Sequence, residues 1–428
     1  MLLGIEPKDF DVATDALPEQ VKRLFRNCRL VGRRFRLAHV FFGRETIEVA
    51  TFRAASAPSQ GEEPIPDADP EDGEAPEMDE LPEADPAEAE LAATDEALHR
   101  VLDETGRIIR DNVYGSIGED VWRRDFTANA LYYNIADFSL WDYVGGAEDI
   151  AARTLRLIGD PETRYREDPV RMLRAARFQA KLSFALDPAT AAPIGALRDL
   201  LGGVPPARLF DETLKLFLSG HGARSLEVLR DLGLLAVLLP TVDAYLRQHP
   251  GSLVEQLLMQ GLRNTDARVL ADRPVTPTFL FALLLYGPIA KVIEAAPPAH
   301  WHELQTILDA CDRAVRESQV HIAIPRRFAL GVREMFSAQP RLEHPRGRRA
   351  LRMLEHPRFR AAFDLLLLRA EYGLASRDTA LWWRRLQEVS AEERDAMAEK
   401  LEADGPRREG ARRGPRRRRR RRRRASSA

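Results

Sequence analysis

Three strand-like runs lie near the start of the chain, 29–34, 37–42 and 46–52, the last with a period of two, and turn residues fall at Gly43-Arg44-Glu45. A period of two predicts β-strands. In the last run Ile47, Val49 and Thr51 share one face and Glu48, Ala50 and Phe52 the other. Glu48 is therefore either an edge charge or a carboxylate presented to whatever lies on that side. Ahead of these runs, Asp9-Phe10-Asp11-Val12 reads as a short strand with both aspartates on one face. Pro18 suits the first turn of a helix whose apolar stripe is Val21, Leu24 and Phe25. Residues 139–144 read as another strand, closed by Gly145-Gly146. From about Thr154 the period lengthens to that of a helix almost to the end. Amphipathic helices are expected at 207–218, 225–239, 253–262, 277–285, 301–315, 326–336, 348–354 and 359–372. Strands first and helices afterwards predict an α+β chain.

Composition adds two segments outside this scheme. The net charge of −2 over 428 residues averages two opposed blocks. Residues 57–98 are acidic and rich in Pro and Ala, and the chain from Arg407 onward is basic, with an unbroken arginine run from Arg416 to Arg424. Blocks of this kind are expected to be disordered and to act as solvating or interaction segments. A hydrophobic content of 44% fits a globular remainder. No apolar run reaches membrane-spanning length, and the N-terminus lacks the pattern of a secretory signal. Two cysteines, Cys28 and Cys311, argue against a disulfide scaffold or a structural zinc site and place the chain in the cytoplasm. There is no internal repeat, no P-loop and no dinucleotide-binding glycine fingerprint.

Candidate chemistry gathers in few places. Two carboxylates two apart on a strand, Asp9 and Asp11, can grip hard divalent cations between protein and phosphate, although Asp-x-Asp is also common in solvated turns. The block Glu119-Asp120-Val121-Trp122-Arg123-Arg124-Asp125-Phe126-Thr127 mixes charges of both signs with large aromatics, which a merely solvated helix would not need. In Glu167-Asp168-Pro169-Val170-Arg171, Pro169 marks a helix start, and Arg171, Arg174 and Arg177 follow at intervals of three. That helix is either a surface helix laced with ion pairs or one offering Asp and Arg to a base edge and to phosphate. His39 lies in an apolar strand and reads as structural. Arginines with aromatics later in the chain suit single-stranded nucleic acid or simply solubility.

Taken in order, Asp9-Phe10-Asp11, Ile47-Glu48-Val49-Ala50-Thr51-Phe52-Arg53, Arg123-Arg124-Asp125-Phe126-Thr127-Ala128-Asn129-Ala130-Leu131 and Glu167-Asp168-Pro169-Val170-Arg171 resemble the class II nucleotidyltransferases, the family of bacterial poly(A) polymerases and tRNA CCA-adding enzymes. The resemblance covers residues 2–385 apart from the acidic insert. Within the family, the block from Leu30 through Gly32-Arg33-Arg34 to His39-Val40, the segment Arg110-Asp111-Asn112-Val113-Tyr114-Gly115, the helical segment 355–364 and the arginine-rich tail are similar to the poly(A) polymerase subgroup.

The resemblance implies a polymerase β-like head over 1–153, interrupted by the insert 57–98. A helical neck for base and RNA recognition (154–220), a helical RNA-binding body (221–400) and an arginine-rich tail (401–428) would follow. The implied reaction is template-independent transfer of AMP from ATP to an RNA 3′-hydroxyl. Asp9 and Asp11 would hold magnesium ions, Asp125 would be the third catalytic carboxylate, and Glu48 a possible further metal ligand. Arg124 would contact phosphates, with Arg123 a lesser candidate. Asp168 and Arg171 would read the base edge, with Arg174 in support. The expected partners are RNA 3′ ends (mRNA, small RNA, tRNA precursors) and the RNA-decay machinery, and the chain is expected to be a monomer without a membrane. A CCA-adding enzyme and a non-catalytic RNA-binding relative are the alternatives. Family members begin with a strand and a glycine pair followed by Val-Arg-Asp, and Met1 falls after that motif. The expectation is a missing first strand and phosphate loop, through a start codon placed too far downstream or a truncation, and little ATP-dependent activity from the chain as written. The acidic insert is expected either to compete with RNA for basic surfaces or to be a loop without a role.

Overall fold

The computed structural model describes residues 2–4, 10–32, 36–43, 45–54, 100–102, 108–111 and 114–404. Asp9, the acidic insert and the arginine run all lie outside the described residues. The chain divides into two compact units, Met1–Arg333 and Glu334–Ala428.

The first unit opens with a four-stranded sheet in the order β1 (Asp11–Thr14), β4 (Glu45–Thr51), β3 (Leu37–Phe42), β2 (Cys28–Val31). β1 runs parallel to β4 and the other pairs are antiparallel. The alternation expected in the third run is observed: Val49 and Thr51 turn inward with Ala38 and Val40, and Glu48 turns the other way. The inward face packs on helix α1 (Pro18–Leu24) through Val21. Thr51 ties the end of β4 to the loop before α1 by donating from its hydroxyl to the Ala16 carbonyl at 2.7 Å. Only part of the expected α1 stripe is buried. The helix has seven residues, and Leu24 and Phe25 at its end are exposed, Phe25 meeting Phe42 of β3 edge to face at 6.4 Å.

Helix α2 (Ile117–Arg123) carries a capping box, with Ser116 accepting from the Glu119 amide and Glu119 accepting from Ser116. A hairpin of β7 (Leu131–Tyr133) and β8 (Leu140–Asp142) follows, the small pair β5 (Arg100–Leu102) and β6 (Ile108–Asp111) having preceded it. Sequence alternation reveals only the second strand of this later hairpin, because Leu131-Tyr132-Tyr133 is apolar or aromatic on both faces. Helix α3 (Gly146–Ala151) leads to the helical part, where two-residue strands at Thr154–Leu155 and Ala185–Leu186 are the remaining sheet. Helices α4 (Pro161–Glu167), α5 (Val170–Leu182) and α6 (Pro206–Phe217) come next. The expected helix at 225–239 is two, Gly222–Asp231 and Leu235–Leu238, broken at Gly233 with φ +70°. Phe210 stacks between Phe281 and Phe328 at 5.7 and 6.0 Å and anchors α6 in the helical core. Among the described residues no single helix is long and apolar enough to cross a membrane.

The second unit starts within the helix Arg326–Glu343 and contains Gly347–Leu354, Phe359–Glu371, Arg377–Glu388 and Ala391–Asp404. Its core centres on Trp383, which is fully buried and donates from Nε1 to the Leu342 carbonyl at 2.7 Å. That placement makes Trp383 a packing residue, not a surface for nucleic-acid bases.

Candidate active site

On the sheet face turned away from α1, the register aligns one row of polar residues. Asp11 pairs with Glu48, Glu48 with His39, and His39 with Arg29. Paired positions on neighbouring strands put their side chains on the same face, about 5 Å apart. The carboxylates of Asp11 and Glu48 are both exposed, and His39 Nε2 lies 3.4 Å from Glu48 Oε1. Asp11 and Glu48 are thereby brought together from positions far apart in sequence. His39, read from sequence as structural, is the neighbour of a candidate ligand. Among the described residues no group of three or more His, Cys, Asp or Glu is arranged to hold a metal ion; Asp9 is not among them.

Beyond β4 the chain passes directly into the second cluster. The Phe52 amide donates to the Thr14 carbonyl at 2.8 Å, the Gly115 amide donates to the Phe52 carbonyl at 2.9 Å, and the Arg53 amide donates to Asp120 Oδ1 at 3.2 Å. Glycine is required at 115: a Cβ there would fall 2.5 Å from the Ala54 Cα. Asp120 is the hub of this cluster. Its Oδ2 accepts from the Tyr132 hydroxyl at 2.6 Å and from Arg124 Nε at 3.2 Å. Arg124 also donates to the Tyr132 oxygen and to the Asn129 carbonyl, and lies 4.7 Å over the Tyr132 ring. Burial works to lower the Arg124 guanidinium, but Tyr132 and Asp120 outweigh it and raise it above the ordinary arginine value.

Asp125 is buried with both oxygens engaged. Oδ1 accepts from the Phe126 amide at 2.8 Å and from Asn129 Nδ2 at 3.1 Å, and Oδ2 accepts from Arg174 Nε at 2.6 Å. Burial pushes its carboxyl upward, yet the Arg174 charge and these hydrogen bonds prevail and hold it below the usual carboxylate range.

The third cluster fastens the helices to the Arg-Arg-Asp turn. Glu167 Oε2 accepts from Arg164 Nη1 at 2.7 Å and from Arg171 Nη1 at 3.1 Å. Arg164 Nη2 donates onward to the carbonyls of Arg123 and Arg124 at 2.8 and 2.7 Å. Arg171 is buried and also donates to the Arg164 carbonyl at 2.7 Å. Asp168 closes α4 and meets Arg208 of α6 in a two-pronged pair, Nη1 to Oδ1 at 2.9 Å and Nη2 to Oδ2 at 2.8 Å. The Arg-Arg-Asp and Glu-Asp-Pro-Val-Arg blocks thus share one network through Arg164, Arg171 and Arg174. Asp120 and Asn129 lie inside the sequence blocks quoted above without a role of their own, and no sequence pattern gave a role to Tyr132, Arg164 or Arg208.

The chain matches the families described as "Poly A polymerase head domain" over residues 1–156, "Probable RNA and SrmB- binding site of polymerase A" over 183–246 and "Polymerase A arginine-rich C-terminus" over 299–425. It is 43% identical over 420 residues to poly(A) polymerase I of Salmonella typhi, covering 96% of this chain and 82% of that protein. It is 40% identical over 417 residues to poly(A) polymerase I of Haemophilus influenzae, covering 95% and 83%. The CCA-adding enzyme of Bacillus subtilis is 34% identical over 216 residues, 50% of this chain and 43% of that enzyme. Among solved structures, "tRNA-processing enzyme (apo form 2)" has the same fold at a TM-score of 0.54 and 19% identity, covering 94% of this chain and 93% of that one. These relatives and family matches define a class II nucleotidyltransferase. Within that class, the chain belongs to the poly(A) polymerase I family of bacteria, whose activity is template-independent nucleotide addition to RNA 3′ ends.

Proposed function

We propose that this chain transfers AMP from ATP to the 3′-hydroxyl of RNA and releases pyrophosphate. The supporting observation is the register match that sets Asp11 beside Glu48 on the exposed face of the head sheet. Two acceptor-only carboxylates at adjacent positions, with Asp9 completing Asp-x-Asp, are the donor set a hard cation such as Mg²⁺ prefers. Asp9, Asp11 and Glu48 would hold it; when bound, Mg²⁺ activates the attacking oxygen and neutralises the triphosphate.

The remaining roles belong to the chain's own side chains. Arg124, propped by Asp120 and Tyr132, would contact phosphate. Asp125, with both oxygens engaged, serves this reading by holding Arg174 and Asn129 in place. Asp168 and Arg171 would read the base edge, Asp168 exchanging an Arg208 N–H and Arg171 its bond to the Arg164 carbonyl for the base. On this reading catalysis would fall to 1–153, base and RNA recognition to 154–220, and RNA binding to 221–400. Acceptors are RNA 3′ ends of mRNA, small RNA or tRNA precursors.

The test is incubation of the chain with Mg²⁺, a single-stranded RNA or a tRNA lacking its end, and each nucleoside triphosphate separately. AMP incorporation on both acceptors is expected on this reading, in place of the low ATP-dependent activity expected from the sequence alone. CMP incorporation restricted to the tRNA would replace this reading with a CCA-adding one, and no incorporation of any nucleotide would refute it.

A further inference from the structure

The hairpin of β7 and β8 joins the site at one residue and displays another. Tyr132 and Trp141 are direct cross-strand partners, so both side chains rise from one face, while Tyr133 and Leu140 rise from the other. Tyr132 carries that face into the Asp120–Arg124 cluster. Trp141, beside it, is 41% exposed.

The indole is fixed in place. Its Nε1–H donates to Ser139 Oγ at 2.8 Å, and that hydroxyl donates to Asp137 Oδ1 at 2.6 Å, which also accepts from the Ser139 amide at 3.0 Å. The indole's one donor is thereby engaged inside the hairpin, and what it offers outward is a π face. Phe138 at the turn has a left-handed backbone, φ +60°, which a bulky residue adopts only at a cost. Asn134 Oδ1, accepting from the Ala136 amide at 3.0 Å, helps hold that shape. A strained turn braced by side-chain hydrogen bonds is a rigid mount for the exposed ring.

We propose that Trp141 is the stacking platform for a base of the acceptor RNA beside its 3′ end. The inference rests on the RNA-adenylating reading above and adds a subsite to it. RNA is favoured over a protein partner by continuity. An exposed ring paired across the hairpin with Tyr132, which holds the Arg124 guanidinium, sets base stacking near phosphate contact, the combination by which single strands are held. The two nearby carboxylates do not compete for that role: Asp142 accepts from the amides of Val144, Gly146 and Ala147, and Asp137 from Ser139. Stacking is indifferent to base identity, which suits an enzyme whose first acceptor end can carry any base.

The experiment measures binding of labelled single-stranded oligo(A) to the full chain by fluorescence anisotropy, together with KM for RNA and for ATP. Trp141→Ala should weaken RNA binding and raise KM for RNA by roughly 5- to 100-fold, leaving KM for ATP unchanged. Trp141→Phe should restore most of the affinity. Because no charge is removed, the slope of log K against log salt should stay the same. Unchanged RNA affinity in Trp141→Ala would overturn the proposal and turn the hairpin into a candidate protein-docking surface. An equal rise in KM for ATP, or no rescue by Phe, would also overturn it, by making Trp141 a structural residue. A wild-type chain that binds oligo(A) through Trp141 but adds no AMP would support the platform while refuting the adenylating reading.

Discussion

Replacing Arg174 with methionine removes the partner that Asp125 depends on. The carboxylate is buried, and Arg174 approaches it at 2.6 Å with a side chain 33% exposed. Breaking a buried pair by deleting one member costs about 3–5 kcal/mol. Partial solvent access to Arg174 and the two N–H donors that remain, from Phe126 and Asn129, bring the expectation down to about 2–3 kcal/mol. The sign of the pH dependence follows from the direction of the shift. In the wild type the folded carboxyl lies below its unfolded value, so its contribution is complete above about pH 4 and is lost as pH falls through the folded value. Without Arg174, burial dominates and raises the folded value above the unfolded one. The variant's deficit is then largest at neutral pH and shrinks on acidification as the carboxyl takes up a proton. Urea unfolding of both chains at neutral pH and near pH 5 measures this. A loss below about 0.5 kcal/mol at neutral pH, or one that does not shrink in acid, would refute the account of Asp125 as a carboxylate held by Arg174.

Other expectations are open to direct measurement. Asp11→Asn and Glu48→Gln should each lower kcat by on the order of 10²-fold or more, with thermal stability nearly unchanged, since both residues are exposed; activity within a few-fold of wild type would remove the residue from the proposed cation site. Gly115→Ala should destabilise the chain by roughly 1–3 kcal/mol in thermal or urea unfolding, because its Cβ would meet the Ala54 backbone at 2.5 Å. Burial pushes the Cys311 thiol up to about 12, so it should resist alkylation near pH 8 in the native state while the half-buried Cys28 reacts; peptide mapping after a short labelling pulse distinguishes them.

What could be read ahead of the structure was what local pattern encodes. The period of two across 46–52 placed Glu48 opposite the inward Val49 face, and the period of the helices located eight helical stretches, although 253–262 and 326–336 stop eight and seven residues short of the observed ends at Leu270 and Glu343 and 225–239 misses the break at Gly233. The remainder depends on partners that no local pattern can name. Arg174 meets Asp125 from 49 positions away and Arg208 meets Asp168 from 40. Arg171 looked like one of three equivalent stripe arginines, yet it is buried and engaged with Glu167 while Arg174 remains one-third exposed. Which arginine of a stripe turns inward depends on what packs there. The Asp11–Glu48–His39–Arg29 row required strand order as well as strand identity, and a parallel β1–β4 pairing does not follow from either strand's sequence.

The clasp of Arg164 on the carbonyls of Arg123 and Arg124 has a consequence for the order of synthesis. Those carbonyls belong to the closing turn of α2, where a helix has acceptors without partners of its own. The guanidinium that satisfies them is encoded 40 positions later. On the ribosome, this end of the head stays unfinished until α4 emerges, and the carboxylate of Asp125 stays without Arg174 for longer still. Translation pausing before α4 should therefore leave the Arg-Arg-Asp turn open to protease, and passage beyond α5 should close it.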